Sequence, residues 1–301
     1  MSSLADTDRV RRFLLEEFPV RGQLVQLESS WTALREHATY PAPVRDLLGQ
    51  AVAAAVLLAS TLKFEGGLTL QMQGNGAVRL LVAQCTHDFR IRAVAHYDEA
   101  RVAADFAALA GEGRITVTVE SAGRGAPYQG IVPLEGASLA ECIDGYFATS
   151  EQLPTRVRLA ADATRAGGLL VQKLPADIQS AEDVDAAAAA AVWERVYGHA
   201  ATLDANDLLY APAETLVRRS ATVEDVRLFS GSPVQFECRC NRERVLGVLR
   251  ALGEEEVRDV LGEQGTVTVT CEFCRRPYVF DAIDVTQAFG PPPVPAPKRL
   301  N

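Results

Sequence analysis

Long apolar runs are missing from this chain of 301 residues. A membrane-spanning helix needs about 18 or more consecutive apolar residues. The richest candidate, residues 47–62, is interrupted by Gly49, Gln50, Ser60 and Thr61, so it reads as a buried helix and no membrane partner is expected. An excess of positive charge is also missing. The net charge is -9, which excludes a whole-chain basic footprint for nucleic acid and mainly promotes solubility. The opening MSSLADTDRVRRFLLEEF lacks the apolar core of a signal peptide and carries acids early, so a cytoplasmic location is expected. Catalytic signatures are scarce. Gly74-Asn75-Gly76 is followed by no Gly-Lys-Ser/Thr and reads as a turn; His37, His87, His96 and His199 are scattered, with no HExxH; no serine sits in GxSxG. With no nucleophile–base arrangement, an enzyme is not expected.

What is present suffices for a folded core: 48% of residues are hydrophobic and 23% charged. Residues 1–175 read as an N-terminal mixed α/β core domain. Strand signals fall at 20–27, 68–73, 78–84, 89–96, 115–119, 128–132, 155–160 and 168–174. Asn75-Gly76 marks a hairpin, and Gly123-Arg124-Gly125 a second turn. Ser29 or Ser30 is the expected cap of a short helix through His37. Residues 44–63 form an apolar core helix closed by Gly66-Gly67, and 138–150 a helix with a Ser138/Glu141 capping box. Residues 176–230 read as a helical linker: a helix over 180–201 capped by Ser180 or Asp183 and containing the tract 186–191, then pieces at 204–209 and 213–218. Alanine favours helix but buries little apolar area, so this linker is expected to pack more weakly than the core. A small C-terminal α+β module spans 231–290. It has a helix capped by Asn241, a second ending at Gly262, a strand at 267–270 and a last helix capped by Asp281. Residues 291–301 hold five prolines and are expected to be disordered. Strand runs with a few interspersed helices define an α+β fold.

Cys85 and Cys142 stand alone, in a strand and a helix, and read as small core residues. Cys238, Cys240, Cys271 and Cys274 cluster, as CxC and then CxxC. In a cytosolic chain, two short cysteine pairs around a small insert suit one tetrahedral Zn2+. The insert is small, so metal binding should supply much of its folding free energy. Four thiolates and one Zn2+ sum to a negative centre, which Arg239, Arg242, Arg244, Arg275 and Arg276 are placed to offset. From the residues alone three readings stay open. The site can be an inert structural centre, a redox-active one with oxidisable thiolates, or a nucleic-acid-binding zinc ribbon. Seven arginines against nine acids over 238–290 make the basic footprint of the last weak.

The chain as a whole resembles the bacterial redox-regulated 33 kDa chaperonins, the heat-shock protein 33 family. The segments carrying the resemblance are YPAPVRDLLGQAVAAAVLLASTLKFEG (40–66), QGNGAVRL (73–80), YQGIVPL (128–134) and YFATSEQLPT (146–155), followed by the CxC and CxxC pairs. The resemblance implies an ATP-independent holdase whose reduced, zinc-bound form is inactive. It implies oxidation to Cys238–Cys240 and Cys271–Cys274 disulfides, loss of zinc, and unfolding of module and linker. It implies unfolding client proteins as partners, and a homodimer on activation.

Overall fold

The computed structural model describes residues 7–121, 123, 126–175, 186–221 and 225–290. It opens with a strand absent from the sequence reading, Arg9–Leu15 (β1), paired antiparallel with Val20–Leu27 (β2). Gly22 faces Phe13 across this pair, and a Cβ on it would meet the Phe13 ring at 2.0 Å, so the ring is buried only because the residue is glycine. Helix α1 (Ser29–Arg35) is not capped by Ser29 or Ser30. Its cap position is Glu28, and the distant Asp8 carboxylate accepts from the backbone N–H groups of Glu28, Ser29 and Ser30. Helix α2 (Ala42–Thr61) starts after Pro41, with Pro43 in its first turn. It ends at Thr61 with Leu62 extended; the expected closure by Gly66-Gly67 does not occur. Gly66, at φ +152°, instead begins β3 (Gly66–Gly74), where a Cβ would collide with the Glu120 carbonyl.

The chain continues through β4 (Val78–Thr86), β5 (Arg90–Tyr97), α3 (Phe106–Ala110), β6 (Gly113–Ser121) and β7 (Tyr128–Pro133). The Asn75-Gly76 turn joins β3 to β4 as expected, and the Asn75 side chain accepts from the Glu112 N–H. Ser138 caps α4 (Leu139–Tyr146) as expected, accepting from the Glu141 N–H, while the Glu141 carboxylate takes the N–H of Ala137 in place of that of the cap. The helix does not run to residue 150. At Phe147 it widens into one π-type turn, Phe147–Glu151, stopped by Gln152 at φ +54°. Strands β8 (Thr155–Ala161) and β9 (Ala166–Lys173) follow.

Residues 176–185, with the expected caps Ser180 and Asp183, lie outside the described residues. Helices α5 (Ala186–Thr202), α6 (Ala205–Tyr210) and α7 (Ala213–Ser220) come next, α6 held by a reciprocal Asp204–Asp207 cap. The linker segment also forms a strand that its helical reading did not contain, β10 (Val226–Leu228). Two-residue strands β11 (Ser232–Pro233) and β12 (Gln235–Phe236) precede the cysteines.

One sheet has the order β10-β1-β2-β9-β8, with β11 also on β1; the other runs β12-β5-β4-β3-β6-β7. All ladders within them are antiparallel except β12 on β5. Helix α2 packs against strands of both sheets, and 13 of its 20 residues are buried. That packing explains a helix apolar on most faces, and it is the one helix among the described residues with the length and hydropathy to cross a membrane. Successive strand residues face opposite ways. Val25 and Leu27 join the α2 core, whereas Phe13, Leu24, Leu169 and Val171 face a second core made with Val192, Trp193, Val196, Leu208 and Leu216 of α5–α7.

The chain divides into two compact units, Met1–Glu237 and Cys238–Asn301. The second contains α8 (Arg242–Leu252), α9 (Glu254–Gln264), the antiparallel hairpin β13 (Val267–Thr270) and β14 (Pro277–Phe280), and α10 (Ala282–Phe289). Asn241 and Asp281 cap α8 and α10 as expected. Helix α9 passes Gly262 and ends at Gly265, whose φ of +74° supplies the left-handed turn. The fold is α+β in both units. Residues 291–301 lie outside the described residues.

A four-cysteine candidate metal centre

Two local structures bring the cysteines of the second unit together. Cys238 and Cys240 lie on the extended segment that enters α8, and its direction is set by the Asn241 cap, which accepts from the Arg244 N–H at 2.8 Å. Cys271 and Cys274 occupy the tight loop of the β13–β14 hairpin. There the Cys271 N–H donates to the Arg276 carbonyl and the Arg275 N–H to the Cys271 carbonyl, with Arg275 in the left-handed region at φ +53°. Packing of Val245, Leu249, Val257, Val267, Phe280 and Val285 holds helix and hairpin together.

All four Sγ atoms lie within 4.8 Å of one another. Cys238 and Cys271 approach to 3.6 Å, Cys240 and Cys274 to 3.4 Å. A tetrahedral ion with metal–sulfur bonds of about 2.3 Å requires sulfur–sulfur edges of about 3.8 Å. The two close approaches fall slightly short of that value and no pair exceeds 4.8 Å, and four soft donors are what such an ion takes, so the cluster can hold a metal ion. All six cysteines are free thiols, and no other group of three or more His, Cys, Asp or Glu suited to a metal occurs among the described residues.

The four thiols sit in different electrostatic environments. Burial and the neighbouring thiols push Cys238 up to about 12. Burial also opposes ionisation of Cys240, but hydrogen bonds from Tyr278 and the other thiols outweigh it and bring Cys240 down to about 7. Burial raises Cys274. A divalent charge among the sulfurs is what would let all four ionise together.

Tyr278, which the sequence reading did not single out, donates its hydroxyl to Cys240 Sγ at 3.1 Å from β14. Arg276 is held above its ordinary range by Tyr278 and by the charge of Cys240 and Cys274. The expected arginine flank is only partly a counter-charge. Arg242 donates to the Val279 carbonyl and the Asp284 carboxylate and lies over the Phe280 ring at 4.3 Å, so it braces α8 against β14 and α10. Arg244 donates to the Arg239 carbonyl and braces the CxC turn. Cys85 and Cys142 are buried in β4 and α4 of the first unit, and burial raises both thiols, Cys142 to about 11.

Comparison with known proteins places the chain among the chaperonins, a non-enzymatic class. The family model described as "Hsp33 protein" matches residues 8–281, and the chain belongs to the Hsp33 family. It is 44% identical over 284 residues to the 33 kDa chaperonin of Methylobacillus flagellatus, covering 94% of each chain. It is also 44% identical over 282 residues to that of Nitrosococcus oceani, again covering 94% of each. The crystal structure of the 33 kDa chaperonin of Thermotoga maritima superposes with a TM-score of 0.76, over 93% of this chain and 97% of that one. Identity there is 24%, and the likeness is one of fold.

Proposed function

We propose that this chain is a redox-switched, ATP-independent holdase whose four-cysteine unit is the switch. The observation that carries the reading is the convergence of four sulfurs within 4.8 Å in a unit whose buried apolar core numbers only six residues. So small a core supplies little stability without a staple. Cys238, Cys240, Cys271 and Cys274 are the proposed ligands of one Zn2+, which when bound neutralises part of the thiolate charge and tethers the two pairs.

Oxidation then acts on the thiols themselves. Each neighbouring thiolate pair loses two electrons to one peroxide, which takes two protons from solvent and is reduced to two waters. Family resemblance gives the products as Cys238–Cys240 and Cys271–Cys274. Disulfide sulfur is a poor metal ligand, so both tethers are lost together. The unit unfolds, and the linker 176–230 follows by releasing α5–α7 from their sheet. Phe13, Leu24, Leu169 and Val171 would then be open to apolar segments of unfolding client proteins. A reducing, cytoplasmic setting is required for the resting state, and a homodimer is the proposed active form.

The test is zinc release, thiol titration and suppression of client aggregation, measured on one reduced, zinc-loaded sample before and after peroxide. The expected result is about one zinc released, four thiols lost and aggregation suppressed only afterwards. Zinc retained through oxidation, or equal activity of the two forms, overturns the reading.

A further inference from the structure

A cavity in the first unit has no part in the cysteine chemistry. Its volume is about 240 Å3, larger than the ~150 Å3 apolar cavity that accepts benzene. Leu58, Leu68, Val117, Phe147 and Leu153 form its apolar walls. Three of the segments that carry the family resemblance converge on it: the end of α2, strand β7 and the α4 π-turn. Gly130 of β7 makes the junction close, since a Cβ there would meet the Tyr146 ring at 2.4 Å.

The polar groups of the cavity are unbalanced in charge. Its one carboxylate, Glu151, accepts from both Tyr128 and Tyr146, at 2.9 and 2.8 Å on the same oxygen. Two cations, Arg21 and Lys63, line the same space. Arg21 gives Nε and Nη2 to the amide oxygen of the fully buried Gln172, at 2.9 and 2.6 Å, and has no carboxylate partner among the described residues. Gln172 is in turn fixed by donating to Thr155. The guanidinium is therefore oriented by a neutral group and keeps its charge for something else. One wall of the cavity contains a single widened helical turn, a feature that recurs at functional sites.

We infer that this cavity is a binding site for a small amphipathic monocarboxylic acid, aromatic or short-chain, with its apolar body against α2 and the π-turn and its carboxylate on Arg21 and Lys63. The site is independent of the metal reading, because every group in it lies in the first unit.

Binding of 3-phenylpropanoate and of its neutral amide to the reduced, zinc-loaded full chain tests this, by calorimetry and by amide shifts. The acid should bind saturably, at least tenfold tighter than the amide, with the largest shifts at Tyr146, Glu151 and Gln172. Arg21→Gln should weaken the acid tenfold or more and leave the amide unchanged. Lys63→Gln, at an exposed position outside the core, should weaken the acid alone even if Arg21→Gln does not fold. Leu62→Trp should occlude both. Equal binding of acid and amide, shifts elsewhere, no saturable binding, or indifference of the acid to Lys63→Gln overturns the proposal.

Discussion

Two residues carry consequences that the cysteine spacing does not announce. Tyr278 reaches Cys240 because β13 and β14 pair in a register that places it beside the hairpin loop. Partners of this kind typically change metal affinity about 10–100-fold. Tyr278→Phe should therefore weaken zinc binding by about tenfold in competition with a chelator, with the fold of the unit kept; unchanged affinity would show that the hydroxyl is incidental. Asp144 is the second. Burial between α4 and β8 pushes its carboxyl up to about 6, against the Val157 N–H and the Arg156 guanidinium, with Glu141 adding to the rise. A raised carboxyl makes its full contribution to stability below the unfolded value near 4, and that contribution is lost as pH rises through 6. Asp144→Asn should flatten the fall in stability between pH 4 and 6.5 by on the order of 1–2 kcal/mol, read from denaturation midpoints across that window. At this scale the four cysteines were legible from spacing alone. Tyr278 was not, because its contact depends on strand pairing, and neither was Asp8, which caps a helix 21 residues away.

Among elements, α2 was legible because its residues are apolar on most faces. Strand β1 was not. It carries three arginines, and its buried residues divide between two cores, Val10 in that of α2 and Phe13 and Leu15 in that of α5–α7. Strands of two to four residues such as β10, β11, β12 and β14 have no period of their own to detect and exist through their partners. Helices α5–α7 show that low apolar area per residue need not mean no core. Trp193 and Val196 are buried despite the alanine tract, and the backbone carbonyls of Leu203, between α5 and α6, and of Leu208 and Leu209 in α6 take hydrogen bonds from Arg158, Gln26 and Arg165. Trp193→Ala removes the largest side chain from this contact, at a cost of about 3–5 kcal/mol. If release of α5–α7 exposes the client surface, the variant should suppress client aggregation while still reduced and zinc-loaded. Helices that loosen by hydrogen exchange with no gain in activity would place the client surface elsewhere.

For the whole molecule, the two units should differ in what holds them. The first has two sheets sharing α2 and a second core behind one sheet; the other has one core cluster of six buried apolar residues among those described. Removing the metal from the reduced protein should abolish hydrogen-exchange protection across 242–289 and leave α2 and its neighbouring strands protected. Retained protection in α8 and α9 would mean the apolar core suffices. The strand order, with β2 beside β9 and β3 beside β6, was beyond the sequence reading because those neighbours are far apart along the chain.

The arrangement of the four sulfurs sets a choice of chain topology. Cys238 stands 3.6 Å from Cys271 and Cys240 3.4 Å from Cys274, so contacts across the two motifs are as available as those within them. A bond across the motifs would close a loop of more than 30 residues and keep a restraint worth roughly 4 kcal/mol in chain entropy. Bonds within each motif close almost nothing, and the segment between Asn241 and Thr270 becomes an open chain. The same four electrons, removed in one pairing, lock the unit shut and, in the other, set it free. Whether oxidation acts as a latch or a release is decided by which neighbour each sulfur takes.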